Sequence, residues 1–518
     1  MAPQSKKPGT HIGEQAVRTI DGAPTAITAF VGRTQRGPVD EPIIVTSFVE
    51  FESIFGGLWA HGVTAHSVGD FFDAGGSTAV IVRVHQPAAG DTASIALGTG
   101  PGALTLEAAS PGAWGSQLSA AVDAGASHRG DPSMFNMTVV DGITGRIELF
   151  RDVSVATGSP RRVDAVVEQE SVLVRMPGAL LGAAPASDPV RATATGGNDG
   201  GPASAAIYTT GANLRTAHRG LYALDRVDPI NLIVIPPYTA GGDVEERVVI
   251  DSIAYAEERR AVMIMDLPST WDTPAAVIKG VSGPSFPASS HATTYYPRIH
   301  KRDPVGGDRV ATFAPSGAVA GVIARTDTLF GVWKAPAGVA ATLDGITDLA
   351  VQLSDDEIGE LSGLGVNCLK TVPSVGHVIW GARTRAGGGQ HDSEWKYLQV
   401  RRTELFIEDS VQRGLKWVAF EPNGEPLWSE IRGSVVSFLD DLFQQGAFSG
   451  TRASEAYFVR CDSETTTRQD ISLGVVNITL GFAPLKPAEF VTVKLQVQAG
   501  RRRIPWWRRL VRIPRIGS

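Results

Sequence analysis

Two continuous apolar runs, INLIVIPP (230–237) and AVMIMDLP (261–268), bracket the helix-patterned segment ERVVIDSIAYAEERR (246–260). A strand without polar alternation has both faces buried, as the central strands of a helix-covered sheet do. The chain is therefore expected to be α/β (α+β mixed). At 518 residues it is too long for one core, so two to four domains are expected. Its 43% hydrophobic and 19% charged residues describe a globular protein, neither disordered nor membrane-embedded. No apolar stretch approaches the roughly 20 residues that span a bilayer. The start, MAPQSKKPGT, lacks the apolar core of a signal peptide, so cytoplasmic synthesis is expected.

Residues 1–25 are polar and punctuated by Gly and Pro, and read as an N-terminal arm. Residues 26–85 form the first part of a core α/β domain. There TAITAFVGR is a strand, and TSFVEFESIFGG is a helix capped by Thr46 or Ser47 and closed by Gly56–Gly57. A helix through His66–Phe72 and a strand over Thr78–Val84 follow. Residues 86–215 read as an inserted β-rich domain, with hairpin chemistry at Asp141-Gly142 and a near-low-complexity stretch, AAPASDPVRATATGGNDGGPASAA, expected as a surface loop. The α/β pattern resumes over 216–385. It continues through 386–487 with a helix near Thr403–Gly414, a strand at KWVAFEP, a helix from Leu427 to Gly446, and strands at AYFVRCD and VVNITLGFAP.

Residues 488–518 hold the run FVTVKLQVQ (490–498) and an Arg-rich tail. Val491, Val493, Leu495 and Val497 alternate with polar residues, the two-residue period of a half-buried strand. Nothing follows that could form a hairpin with it, so the expected partner is another chain. The tail RRRIPWWRRLVRIPRIGS carries seven of the 47 Lys and Arg and no acid. The remaining 40 bases face all 54 acids, so the tail is +7 and the body −14. Membrane surface, nucleic acid and an acidic protein face are all chemically compatible partners. The acidic protein face is favoured, docked through Arg501, Arg502, Arg503, Trp506, Trp507, Arg508 and Arg509. Pro505 and Pro514 break any single amphipathic helix.

Catalytic signatures are sparse. GxxxxGK[ST], GxSxG and HExxH are absent, and SGLGVNC (362–368) lacks the third glycine of a dinucleotide fingerprint, so it reads as a turn. His61 and His66 are five apart, not one helical turn. Cys368 and Cys461 have no CxxC spacing and are expected as buried free thiols. Asp355-Asp356-Glu357 reads as a helix N-terminus capped by Ser354. Asp266, ending an apolar strand, is the one position where an α/β enzyme would place a catalytic acid. An enzyme of unknown substrate built on Asp266 and Asp355–Glu357 is thus the alternative reading. No catalytic residue, metal or cofactor is assigned.

Several segments together resemble the contractile tail sheath family of phage tails, bacteriocins and phage-tail-like injection systems. They are ITAFVGRTQRGPVDEPIIVTSFVEFESIFGG (27–57), DFFDAGGSTAVIVRV (70–84), ASPGAWGSQL (109–118), GLYALDRVDPINLIVIPP (220–237), APSGAVAGVIARTDTLFGVWKAPAG (314–338), RRTELFIEDSVQRGLKWVAFEPNGEPLW (401–428) and NITLGFAPLKPAEFV (477–491). The likeness is nearer to injection-system sheaths than to the larger myophage ones. It implies a multi-domain sheath fold with a mixed-sheet core, an inserted β-rich outer domain and terminal strand-donating arms. Those arms would run over roughly 8–25 and 488–500, using His11, Ile12, Val17 and Ile20 at one end and Val491, Val493, Leu495 and Val497 at the other. Hinges would lie at Gly22–Pro24 and Pro484–Pro487. The implied partners are further copies in stacked helical rings, an inner tube protein, baseplate and terminal cap proteins, and a sheath-recycling or chaperone ATPase. Nucleic acid and membrane are not among them. The chain departs from the family's common PGVYIEE opening with PGTHIGE (8–14), and its Arg/Trp tail runs past the usual end.

Overall fold

The computed structural model of the chain describes residues 18–98, 103–123, 131, 133–178, 184–185, 188–283, 286–387, 393–485 and 491–499. They fall into two compact units. Of these, the larger comprises the described residues within 25–329 and 335–398; the smaller draws on 18–24, 330–334, 399–485 and 491–499.

The larger unit opens with β1 (Thr28–Gly32), β2 (Pro42–Val45), α1 (Phe48–Phe55), α2 (Thr64–Asp73) and β3 (Ala79–Arg83). Ser47 caps α1 by accepting from the Glu50 N–H, while Glu50 accepts from the N–H and hydroxyl of Thr46. Gly56 ends the helix at a positive φ of 74°, where a side chain would be strained.

The β-rich part follows: β4 (Ser94–Leu97), β5 (Leu104–Ala108), β6 (Leu118–Asp123), β7 (Met134–Asp141), β8 (Ile147–Ser154), α3 (Val163–Glu170), β9 (Val174–Arg175) and β10 (Asp188–Thr193). These strands build two antiparallel sheets, β10-β6-β7-β8 and β4-β5-β9. They enclose their own cluster around Leu106, Trp114, Phe135, Met137 and Phe150. Strict alternation along β7 turns one face inward. The stretch expected as a loop instead contributes β10, because Ala192 and Thr193 pair with Ala120 and Ser119 of β6.

The unit closes with β11 (Leu232–Val234), α4 (Glu246–Glu258), β12 (Val262–Asp266), α5 (Pro274–Val281), β13 (Ala292–Tyr296), β14 (Ile299–Asp303), β15 (Arg309–Phe313), α6 (Ser316–Phe330), β16 (Asp348–Leu349), α7 (Asp355–Gly363), β17 (Asn367–Val372) and β18 (Gly376–Ile379). Its central sheet runs β18-β17-β13-β12-β11-β1-β3-β2. The inner six strands are parallel, and β2 and β18 pair antiparallel at the two edges. The apolar runs at 230–237 and 261–268 are its middle strands, buried on both faces as their composition requires.

The smaller unit contains α8 (Leu398–Gly414), α9 (Glu425–Gln444), α10 (Ala453–Ala456), β19 (Tyr457–Arg460), α11 (Arg468–Leu473), β20 (Val475–Phe482) and β21 (Val491–Gln498). KWVAFEP, expected as a strand, is instead a 3₁₀ turn over Lys416–Phe420. Of that turn only Val418 is buried, and Phe420 is 88% exposed, so no sheet face is available for the alternation to fill.

Candidate functional site

The segment singled out by its alternation is an ordered strand, and it has a partner at home. β21 pairs antiparallel with β20 over eight positions, from Val475 opposite Gln498 to Phe482 opposite Val491. The Ala499 N–H extends the ladder to the Gly474 carbonyl at 2.7 Å. This corrects the expectation of a strand without an intrachain mate. The intervening residues 483–490 had concealed a hairpin whose loop is longer than the usual two to five residues.

One face of this sheet is apolar. Leu480 lies opposite Val493, Ile478 opposite Leu495 and Val476 opposite Val497. Val493 and Leu495 are 5% and 3% exposed and Val497 is half-buried; for Val491 only the backbone position is described. The other face presents Lys494, Gln496 and Gln498 to solvent. Phe482 continues the apolar face onto Phe448, with ring centroids 5.4 Å apart. Asn423 ties the start of β20 down, donating to the Val475 carbonyl at 2.9 Å and accepting from Trp428 Nε1 at 2.8 Å. The strand order is β19-β20-β21, so among the described residues the outer edge of β21 has no strand beside it.

The N-terminal arm enters the same unit. Of the residues expected in it, His11, Ile12 and Val17 lie outside the described part; Ile20 is inside and buried. Ile20 packs where Gly414 ends α8, and a β-carbon at Gly414 would come within 2.8 Å of Ile20. The Ala23 N–H donates to Ser410 Oγ at 2.9 Å, and Ser410 in turn donates to the Phe406 carbonyl. Arg18 stacks 4.2 Å above the Trp417 ring and faces Glu421 at 3.6 Å. Residues 18–23 are thus strapped along the helix, and Gly22 sits inside that strap. Ser410, Trp417 and Gly414 carried no sequence signal for this role, because their partner lies some 390 residues away in the chain. Of the second expected hinge, Pro484 is bridged to Phe448, and residues 486–490 are outside the described part. The docking residues Arg501, Arg502, Arg503, Trp506, Trp507, Arg508 and Arg509 are also outside it.

The residues of the enzyme alternative occupy structural positions. Asp266 is half-buried at the end of β12 and accepts from the Ser316 N–H (3.2 Å) and hydroxyl (2.7 Å). It therefore anchors the first turn of α6, where a carboxylate is favoured by the helix dipole. Burial pushes its carboxyl up to about 6, against the hydrogen bonds from Ser316. Asp266 also lines a cavity of about 260 Å³ beside Met263, Met265, Trp271 and Phe286. The other titratable groups on its wall are Asp243, Glu246 and Arg298, and Arg298 donates to Asp243 at 2.8 Å. Asp355–Glu357 form the first turn of α7, and Ser354 and Glu357 make a full capping box. The Ser354 N–H and hydroxyl hold the Glu357 carboxyl below its usual range. Cys368 and Cys461 are free and buried, and burial pushes each thiol up to about 12. Among the described residues no helix is long and apolar enough to cross a membrane.

Residues 390–498, which contain β19, β20 and β21, match the family described as the phage tail sheath C-terminal domain. A putative prophage major tail sheath protein of Pseudomonas aeruginosa is 25% identical over 271 residues, 51% of this chain and 64% of the relative. The tail sheath protein of Vibrio phage KVP40 is 25% identical over 179 residues, 34% of this chain and 25% of that protein. The aligned stretches thus span less than two thirds of either relative. In fold, the chain is similar to a sheath tail protein of Listeria innocua (TM-score 0.65, 13% identity, 93% of this chain and 96% of that one). It is also similar to the sheath of an extracellular contractile injection system, PVC, in its contracted state (TM-score 0.56, 20% identity, 95% and 98%). The contracted helical sheath of the anti-feeding prophage matches equally, covering 95% of this chain and 99% of its own.

Proposed function

We propose that this homologue of tail sheath proteins is a structural subunit, not a catalyst. It polymerises as a helical tube around an inner tube and contracts to drive that tube through a target envelope. The observation that carries the reading is the C-terminal sheet. It lies within the matched tail sheath domain, has β21 as its outer strand, and among the described residues leaves one edge of that strand open. A neighbour's strand can add to such an edge through backbone hydrogen bonds alone. In the assembled form, β21 of one copy joins the sheet of the next, together with a strand from the N-terminal arm of a third.

Backbone ladders suit a lattice that moves, because they survive rotation of whole subunits about short connecting segments. Contraction draws on an extended lattice that is metastable relative to one burying more intersubunit surface. The relevant partners are further copies of the chain, an inner tube protein, baseplate and cap proteins, and an ATPase that recycles the contracted sheath. Assembly takes place in the cytoplasm of the producer.

Purified full-length chain, concentrated and viewed by negative-stain electron microscopy, should form hollow striated cylinders. Protein that remains monomeric at every concentration and salt, and in the presence of its tube protein, would overturn the reading.

A further inference from the structure

We infer that β21 is a self-cap: the edge of β20 is an interaction surface for one strand, filled by the chain's own β21 in the free subunit and by that of a second copy in the polymer. The inference rests on the sheath reading above.

The eight registered pairs leave no room for two occupants. Slipping a second strand by one residue would turn Val493, Leu495 and Val497 out to solvent, so an incoming β21 must take the same register and displace the resident one. The exchange conserves every ladder bond and every apolar pair, which makes it close to neutral, as for domain swaps in general. What favours the closed form is the tether. Eight residues, 483–490, join Phe482 to Val491, and a short connection holds its ends at an effective concentration on the order of millimolar. Free subunits in the micromolar range therefore stay closed. Exchange wins where a ring of subunits already presents aligned edges and supplies further contacts, so growth is templated and spontaneous nucleation is suppressed.

The ladder supplies its own test. The bond from Ala499 to Gly474 places that pair at a hydrogen-bonded site. By alternation, Thr479 and Lys494 are a non-hydrogen-bonded pair, with Cα atoms about 4.5 Å apart, within the range a disulfide accepts. Both side chains lie on the polar face. The double variant T479C/K494C, oxidised, should stay monomeric by light scattering even when wild-type cylinder fragments are added as seeds. Dithiothreitol should restore cylinder yield. Cylinders that contain the intact intrachain disulfide, seen on a non-reducing gel, would overturn the self-cap and leave the sheath reading standing. Failure of the wild-type chain to form cylinders would instead overturn the sheath reading. A second variant works in the opposite direction. Inserting twelve Gly/Ser residues after Leu485 dilutes the tethered strand about fourfold by the −3/2 power of length, and should lower the onset concentration of unseeded assembly severalfold. An unchanged or raised onset would contradict the inference.

Discussion

Leu480 of β20 and Val493 of β21 face each other across the terminal ladder, and both are buried. The last strand is therefore part of a core, not an arm that waits unfolded for a neighbour. Burying each such aliphatic side chain is worth about 1.5–3 kcal/mol, and a carboxylate in its place would cost several kcal/mol. V493D/L495D should expel β21 while α8, α9 and β20 hold. Hydrogen exchange should show protection lost over 491–498, and electron microscopy should show no cylinders. Cylinders in normal yield would sink the strand-addition mechanism.

Arg36 and Asp141 join the central-sheet part of the larger unit to the hairpin of β7 and β8. Arg36 Nη1 donates to Asp141 Oδ2 at 3.0 Å, and the Asp141 side chain is fully buried. The same carboxylate accepts from the Ile143 N–H and the Thr144 hydroxyl, which shapes the turn. D141A removes the turn's acceptor and the carboxylate partner of Arg36, whose guanidinium keeps the Ser53 carbonyl (3.2 Å) and the Trp114 ring, a loss of about 1–3 kcal/mol. Thermal melting should show a fall of several degrees, with R36A/D141A recovering part of it. Equal melting temperatures for wild type and D141A would contradict the assignment.

Asp266 gives the chain a pH-dependent stability of definite sign. Its folded value, about 6, stands above the ordinary 3.8. The folded state therefore takes up a proton between those two values, and the contribution is fully present below pH 3.8 and lost as pH rises through about 6. D266N keeps an acceptor for Ser316 without the half-buried charge. Each pH unit separating the folded and unfolded values is worth about 1.4 kcal/mol, so the variant should stabilise the fold by about 2–3 kcal/mol at about pH 8 and by almost nothing near pH 4. Chemical denaturation at the two pH values measures this; a gain independent of pH would refute it.

The +7 tail, 501–518, follows the last residue of the terminal ladder and lies outside the matched domain. Deleting it should leave cylinder formation intact and weaken attachment to an acidic partner surface, read by co-sedimentation with tube or baseplate proteins across a salt series. A truncated chain that cannot polymerise would make the tail part of the lattice.

Much of this was legible in the residues. Ser47 and Ser354 announced their helices because a capping hydroxyl and the backbone N–H it accepts from lie three residues apart. The buried middle strands were visible as runs without alternation, and β21 as a run with it. What alternation does not encode is the partner: period two says which side chains share a face, not which strand lies alongside. For the same reason β10 was hidden in a Gly-rich stretch, since its pairing with β6 spans some 70 residues, and KWVAFEP looked like a strand while its neighbours wound it into a 3₁₀ turn. The strap of Arg18–Ala23 on α8 was hidden most completely, being a contact between the two ends of the chain.

In the proposed polymer β21 crosses between copies. That crossing is tested most directly by mixing two single-cysteine subunits, T479C and K494C, assembling them and oxidising the product. Strand exchange predicts a disulfide-linked dimer on a non-reducing gel from the cylinders, and none from the same mixture kept as free subunits. Well-formed cylinders without the interchain band would contradict it.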